Sequence, residues 1–280
     1  MSRCAIFTLV GYYNYGNRLV CAAACKIFAS LGVGAEIMLV EDENENLSFP
    51  ARLKRKIKKT LRHPFEKILI KACLFPVTRL AREIKKRKYA EINRLRQERF
   101  RGFSAEHIVE KDYDLSKTHF PPSFPGRVDF FAIGGDQVWN PFFECANVPE
   151  SIYFLPFVRD NQRAFMFSTS FGISKKAFFD KTAETPGLLD AYRDALSKMV
   201  LISCREDAGV EITRELAGKG EVIVDPTMTL TREEWLRIAK EPEFLKSRLK
   251  GRKGYILSYF LGTLPRLLKN RKSARKRFCS

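Results

Sequence analysis

A carboxylate, two amides and an indole follow a pair of glycines in Ile133-Gly-Gly-Asp-Gln-Val-Trp-Asn-Pro141, and no other string in the sequence concentrates so much chemistry. Gly134 and Gly135 let a backbone turn sharply and approach a ligand without Cβ interference. Asp136, Gln137 and Asn140 then offer hydrogen bonds, and Trp139 adds an N–H and a flat apolar face. A core does not need that polar mixture at a strand end, whereas a ligand site at the carboxyl edge of an α/β sheet does. The competing reading is a Gly-Gly turn followed by a packed Trp.

Three further groups sit in similar places. Asn14, Gly16 and Asn17 precede a helix whose free N–H groups attract anions. This is neither a Gly-Lys-Ser/Thr phosphate loop nor a GxGxxG fingerprint, and a plain turn with an N-cap explains it equally well. Ser170 lies in a polar turn of small residues after an apolar run. Arg205 and Glu206 open a helix directly after a strand, where a guanidinium can meet a carboxylate or phosphate; an ion pair between the two is the plainer alternative.

The elements that must position these residues follow from apolar patterning. Ala5–Val10 reads as a strand and Arg18–Leu31 as a helix stopped by Gly32, with Glu36–Val40 the next strand. Phe130–Ile133 is a short unbroken apolar run suited to a strand buried on both faces. Strands are expected from Ala164, over Val200–Ser203 and over Glu221–Val224, and helices over Pro186–Met199, from Arg205 to Leu216 and from Thr231. Thr231 and Glu234 have capping-box spacing. Strand, turn and helix alternate with polar residues at strand ends, which predicts an α/β fold with a Rossmann-like, doubly wound parallel sheet and one ligand edge.

The net charge of +18 is concentrated. Arg52–Arg101 holds nineteen Lys/Arg against four Asp/Glu, and Leu264–Ser280 adds seven basic residues without an acid. The first segment reads as basic helices, a helical insertion over about 50–105, with Leu61, Phe65, Ile68 and Leu69 and then Leu80, Ile84, Ile92 and Leu95 at helical spacing. Its positive face suits an anionic membrane surface or is simply solvated. Sparse aromatics make nucleic acid the poorer partner. The seven cysteines form no CxxC, and His63, His107 and His119 are scattered, so buried reduced thiols are expected and a metal site is not. With no signal peptide and no apolar run of spanning length, a cytoplasmic protein is expected, with peripheral contact at the inner membrane face as an extension.

Five strings in order, Asn14-Tyr-Gly-Asn-Arg-Leu19, Ile133–Pro141, Ser168-Thr-Ser-Phe-Gly172, Ser203-Cys-Arg-Glu206 and Val224-Asp-Pro-Thr227, resemble the polysaccharide pyruvyl transferase family over roughly Ile6–Phe260. Gly135 departs from the Ser common in that family, and Val20-Cys21 replace a polar pair. The resemblance implies the N-terminal half of a two-domain fold like that of glycosyltransferases, with the active site in a cleft. It implies no cofactor: phosphoenolpyruvate is the donor substrate, and a sugar or lipid-linked oligosaccharide the acceptor. Asp136 and Arg205 are then the catalytic candidates, the first for acid/base work or hydroxyl binding and the second for the donor's negative charge. Asn14, Gly16, Asn17, Gly134, Gly135, Gln137, Trp139, Asn140, Ser170 and Glu206 are candidates for substrate binding, with Trp139 stacking on a sugar.

Residues 1–250 are expected to form the Rossmann-like domain and 251–280 the first strand of a second domain plus a basic tail. Few residues remain to complete that domain, so a truncated or frameshifted chain, inactive in isolation, is also expected. Two other functions fit the sequence: a different glycan-modifying transferase, and a basic module that binds membrane or nucleic acid.

Overall fold

The computed structural model describes residues 2–41, 89–158 and 163–240, together with residues 247 and 250. The chain forms two compact units, Met1–Glu234 and Trp235–Ser280. The expectations for residues 50–88 and 251–280 lie outside the described residues.

Seven parallel strands build the first unit: β1 (Ser2–Phe7), β2 (Val33–Glu41), β3 (Glu110–Ser116), β4 (Phe130–Gly134), β5 (Ala164–Thr169), β6 (Met199–Cys204) and β7 (Glu221–Val222). Their order, β3-β2-β1-β4-β5-β6-β7, makes this the expected doubly wound α/β sheet. Side chains alternate across a strand, and the central strands show both faces covered. Ala5 and Phe7 of β1 join Phe131 and Ile133 of β4 in one core, while Cys4, Ile6 and Ala132 join a second core with Cys21, Ala22, Ala24 and Phe28. Burial on both faces explains why these strands read as continuous apolar runs.

The helices are α1 (Tyr15–Ser30), α2 (residues 89–107), α3 (Lys175–Thr182), α4 (Leu188–Ser197), α5 (Asp207–Ala217) and α6 (Arg232–Ile238). Asn14 caps α1, its side-chain oxygen accepting from Gly16 N at 2.9 Å. The helix therefore starts three residues before the expected Arg18. At α6 the expected capping box forms: Thr231 N donates to Glu234 Oε2 at 2.7 Å, and Glu234 N to Thr231 Oγ1 at 3.2 Å. Two elements went unread in the sequence, β3 and α3. β3 is an edge strand with the polar sequence Glu-Lys-Asp-Tyr-Asp-Leu-Ser, of which only Leu115 is buried.

Between β1 and β4 the chain reverses its direction of travel through the sheet, and the crevice beyond the strand ends at such a point is where this architecture takes ligands.

Candidate functional site

Main-chain hydrogen bonds running past the strand ends place the site residues in a row. Gly135 N donates to Phe167 O (2.8 Å), Ser170 N to Asp136 O (3.0 Å) and Arg205 N to Thr169 O (3.2 Å). Asp136, Ser170 and Arg205 thus leave three neighbouring strands at the same edge. Ile223 N donates to Cys204 O (2.8 Å), which brings the chain beyond β7 to that edge and delivers Asp225.

Arg205 ties the row together. Its Nη2 donates to Asp136 Oδ1 at 3.3 Å and its Nη1 to Asp225 Oδ2 at 2.8 Å, and its Nε lies 3.8 Å from Glu206 Oε2. The remaining oxygens are also engaged. Asp136 Oδ2 accepts from Asn17 Nδ2, and Oδ1 from Gln137 N at 2.8 Å. Asp225 Oδ1 accepts from Thr227 N (2.9 Å) and Thr227 Oγ1 (2.7 Å). One guanidinium among three carboxylates leaves the cluster with a net negative charge. Among the described residues no three His, Cys, Asp or Glu side chains are arranged to hold a metal ion.

A cavity of about 320 Å³ opens here, lined by Asn14, Gly16, Leu19, Val20, Asp136, Arg205, Asp225 and Thr227. Four of the candidates from the sequence, Asn14, Gly16, Asp136 and Arg205, share its wall. Asn17 is buried behind Asp136 and holds its carboxylate. Asp225 and Thr227 were not among the sequence candidates, although Asp-Pro-Thr at a strand end carried the same signal as Asp136.

Several candidates take other roles. Trp139 cannot stack on a sugar: it is fully buried, its Nε1 donates to Tyr153 O at 3.0 Å, and it packs edgewise on Phe154, Phe171 and Tyr192. Asn140 is buried too, donating from Nδ2 to Gln137 Oε1 (3.3 Å) and accepting at Oδ1 from Phe142 N (3.0 Å). Gln137 is thereby turned toward Asn140 and away from the cavity lining. Glu206 Oε1 accepts from Ser170 Oγ (2.8 Å), Phe171 N (2.8 Å) and Gly172 N (3.2 Å), so Glu206 and Ser170 clasp the turn after β5. Glu206→Gln, which offers a weaker acceptor to three donors, is expected to lower stability by about 1–2 kcal/mol in urea unfolding.

The two glycines face protein where a ligand was expected. Gly134 has φ +140°, and a Cβ there would collide with the Phe167 carbonyl and Thr169 Oγ1. At Gly135, φ is +79° and a Cβ would come within 2.7 Å of Val20 Cγ1 on α1. Gly134→Ala is expected to cost about 2–3 kcal/mol, read as a lower urea midpoint, because the obstructing atom is backbone of a central strand.

Beneath the loop after β1 lies a buried cation. Arg18 Nη1 donates to Glu110 Oε1 (2.5 Å) and Ser104 Oγ (3.2 Å), and Nη2 to Cys21 Sγ (3.6 Å). Tyr12 donates its hydroxyl to Glu110 Oε2 (2.7 Å) while its ring lies against the Arg18 and Arg101 guanidinium groups. Burial, and then the Glu110 carboxylate, push the Tyr12 hydroxyl up to about 12, so it remains a donor at neutral pH. This network fixes the loop that carries Asn14 to α2 and β3.

Among the described residues no cysteine lines the cavity. Burial pushes the thiols of Cys21, Cys145 and Cys204 each up to about 12, leaving them protonated and poorly nucleophilic. A neutral-pH alkylation experiment read by peptide-mapped mass spectrometry is expected to find all three unmodified in the native protein and modified in urea.

A family model described as polysaccharide pyruvyl transferase matches residues 14–270, a span that contains every residue of the cavity wall. No curated protein matches the chain, and no solved structure does. Among the described residues no helix is long and apolar enough to cross a membrane.

Proposed function

Because the chain belongs to the polysaccharide pyruvyl transferase family, we propose that it moves pyruvate from phosphoenolpyruvate onto two hydroxyls of a surface or exopolysaccharide sugar, forming a cyclic ketal. The observation that carries this reading is the contact between Asp136 and Arg205, 3.3 Å apart in the cavity wall at the sheet's reversal point.

In the net reaction, both sugar oxygens bond to C2 of the donor, its methylene carbon gains a proton and becomes a methyl group, and the C2–O bond to phosphate breaks. Of the two hydroxyl protons released, one balances the new methyl group and the other leaves with phosphate or solvent. A carboxylate beside the acceptor assists by taking a hydroxyl proton, and we assign that role to Asp136. Arg205 answers the negative charge of the donor's carboxylate or phosphate. Asp136 and Asp225 engage one N–H on each terminal nitrogen, so a second N–H on each is left to meet the ligand.

The net negative cluster suits sugar hydroxyls better than a second anion. We therefore place the acceptor, a sugar or lipid-linked oligosaccharide, against Asp136, Asp225 and Asn14. The reading is tested by phosphate release from phosphoenolpyruvate in the presence of candidate acceptors, with proton NMR detection of the ketal methyl. Asp136→Asn is expected to lower turnover about a hundredfold or more. Unchanged turnover and unchanged donor binding in both Asp136→Asn and Arg205→Ala would remove this site assignment, and ketal-free transfer from another donor would indicate a different glycan-modifying transferase.

A further inference from the structure

We propose that α2 and Tyr15 form a docking surface for an anionic lipid bilayer beside the cavity. Ile92 is 56% exposed and Leu95 45% exposed, on a helix whose first ten described residues all face solvent. Helical spacing decides what shares their side. Arg96 follows Ile92 by four residues and Arg99 follows Leu95 by four, so both arginines flank the aliphatic pair. Two acids border that side at Leu95: Glu91 precedes Leu95 by four residues and Glu98 follows it by three, and Glu98 pairs with Arg94 at 2.5 Å. The side bearing Ile92 is therefore aliphatic and cationic through Leu95, Arg96 and Arg99, with the two carboxylates confined to its margin beside Leu95 and one of them paired with Arg94.

The same side leads to the cavity loop. Phe100, four residues after Arg96, packs on Tyr15 with ring centroids 4.7 Å apart, and Tyr15 remains 57% exposed. Tyr15 lies between Asn14 and Gly16, both in the cavity wall. An interfacial tyrosine, two aliphatics and two arginines with long stems match what the headgroup zone accepts: apolar groups below, guanidinium groups among lipid phosphates. Nucleic acid fits less well, because exposed aliphatics contribute nothing to phosphate or base contacts. The chain adds charge of the right sign, with fifteen Lys/Arg and two Asp/Glu over Arg52–Lys88. A bilayer held here would place a lipid-linked substrate at the cavity mouth, and this docking stands whether or not the proposed pyruvyl transfer does.

Co-sedimentation of the full chain with phosphatidylglycerol/phosphatidylcholine vesicles, and with phosphatidylcholine vesicles alone, tests the surface directly. Binding to the anionic vesicles only, weakened by salt, is expected. Each of Arg96→Gln and Arg99→Gln should lower partitioning about fivefold, and Ile92→Glu combined with Leu95→Glu should lower it about tenfold or more. All four positions are exposed, so the variants should keep the parent's thermal midpoint. Failure to bind anionic vesicles overturns the proposal, as does binding that survives all four substitutions. A dimer lost on Ile92→Glu/Leu95→Glu, with no vesicle binding, would assign the face to a second copy of the chain. Salt-sensitive binding to RNA with no loss in the glutamate variant would assign only a non-specific polyanion contact.

Discussion

Arg205→Ala is expected to lower pyruvyl transfer about a hundredfold or more and to lower stability by about 2–3 kcal/mol. Both effects have one cause. The guanidinium satisfies Asp136 and Asp225 directly and lies 3.8 Å from Glu206, and these carboxylates come from the ends of β4, β6 and β7. Without it, three partly buried negative charges face one another with no cation between them. The loss should shrink as salt is raised, because part of it is repulsion across a solvent-accessible cavity. Arg205→Lys keeps the charge but has a single ammonium in place of a fork, so it should recover part of the stability and little of the turnover. Urea unfolding at two ionic strengths, alongside the phosphate-release assay, separates the two losses. A stable, fully active Arg205→Ala protein would contradict this account.

Trp139→Ala should have the largest effect on folding, about 3–5 kcal/mol. The indole is completely enclosed, its ring meets those of Phe154, Phe171 and Tyr192, and its N–H satisfies the Tyr153 carbonyl. Tyr192 closes the arrangement by donating to Trp139 O at 3.1 Å and Ala146 O at 3.0 Å. Trp139→Phe retains most of the volume and loses the hydrogen bond, so a deficit of about 1–2 kcal/mol is expected. Urea midpoints measure both. Sugar stacking makes the opposite forecast: Trp139→Ala would then fold normally and fail only in acceptor binding.

The Trp139 result shows where sequence alone stops. A strand end followed by Asp-Gln-Val-Trp-Asn signalled a site, and the strand-end position of Asp136 follows directly from the apolar run before it. What the string lacks is the direction of each side chain after the turn. Asp136 reaches the cavity, whereas Trp139 and Asn140 fold back under it. The glycines were ambiguous for a similar reason. Positive φ is a backbone property, but whether the free space meets a ligand or a carbonyl of β5 depends on a strand over thirty residues away. Arg205 was legible as a cation at a helix entry, and its engagement with Asp225 was not, because that pairing depends on β6 and β7 lying side by side. β3 escaped because an edge strand with one buried side chain has no apolar alternation to read.

The sheet order also has a consequence for biosynthesis. β1 pairs with β2 on one side and with β4 on the other, and Cys4–Phe7 finds Phe130–Ile133 only after some 125 intervening residues. At about 5–20 residues per second, the ribosome takes roughly ten seconds to supply that partner. Throughout that interval a strand whose last four residues are all buried in the folded protein has an unpaired edge, a template for wrong pairing. Contacts of such separation also slow folding after release. Pulse proteolysis of ribosome-bound chains should find β1 susceptible until β4 has cleared the exit tunnel and protected soon afterwards, which makes β4 both the bearer of Asp136 and the step at which the nascent domain becomes safe.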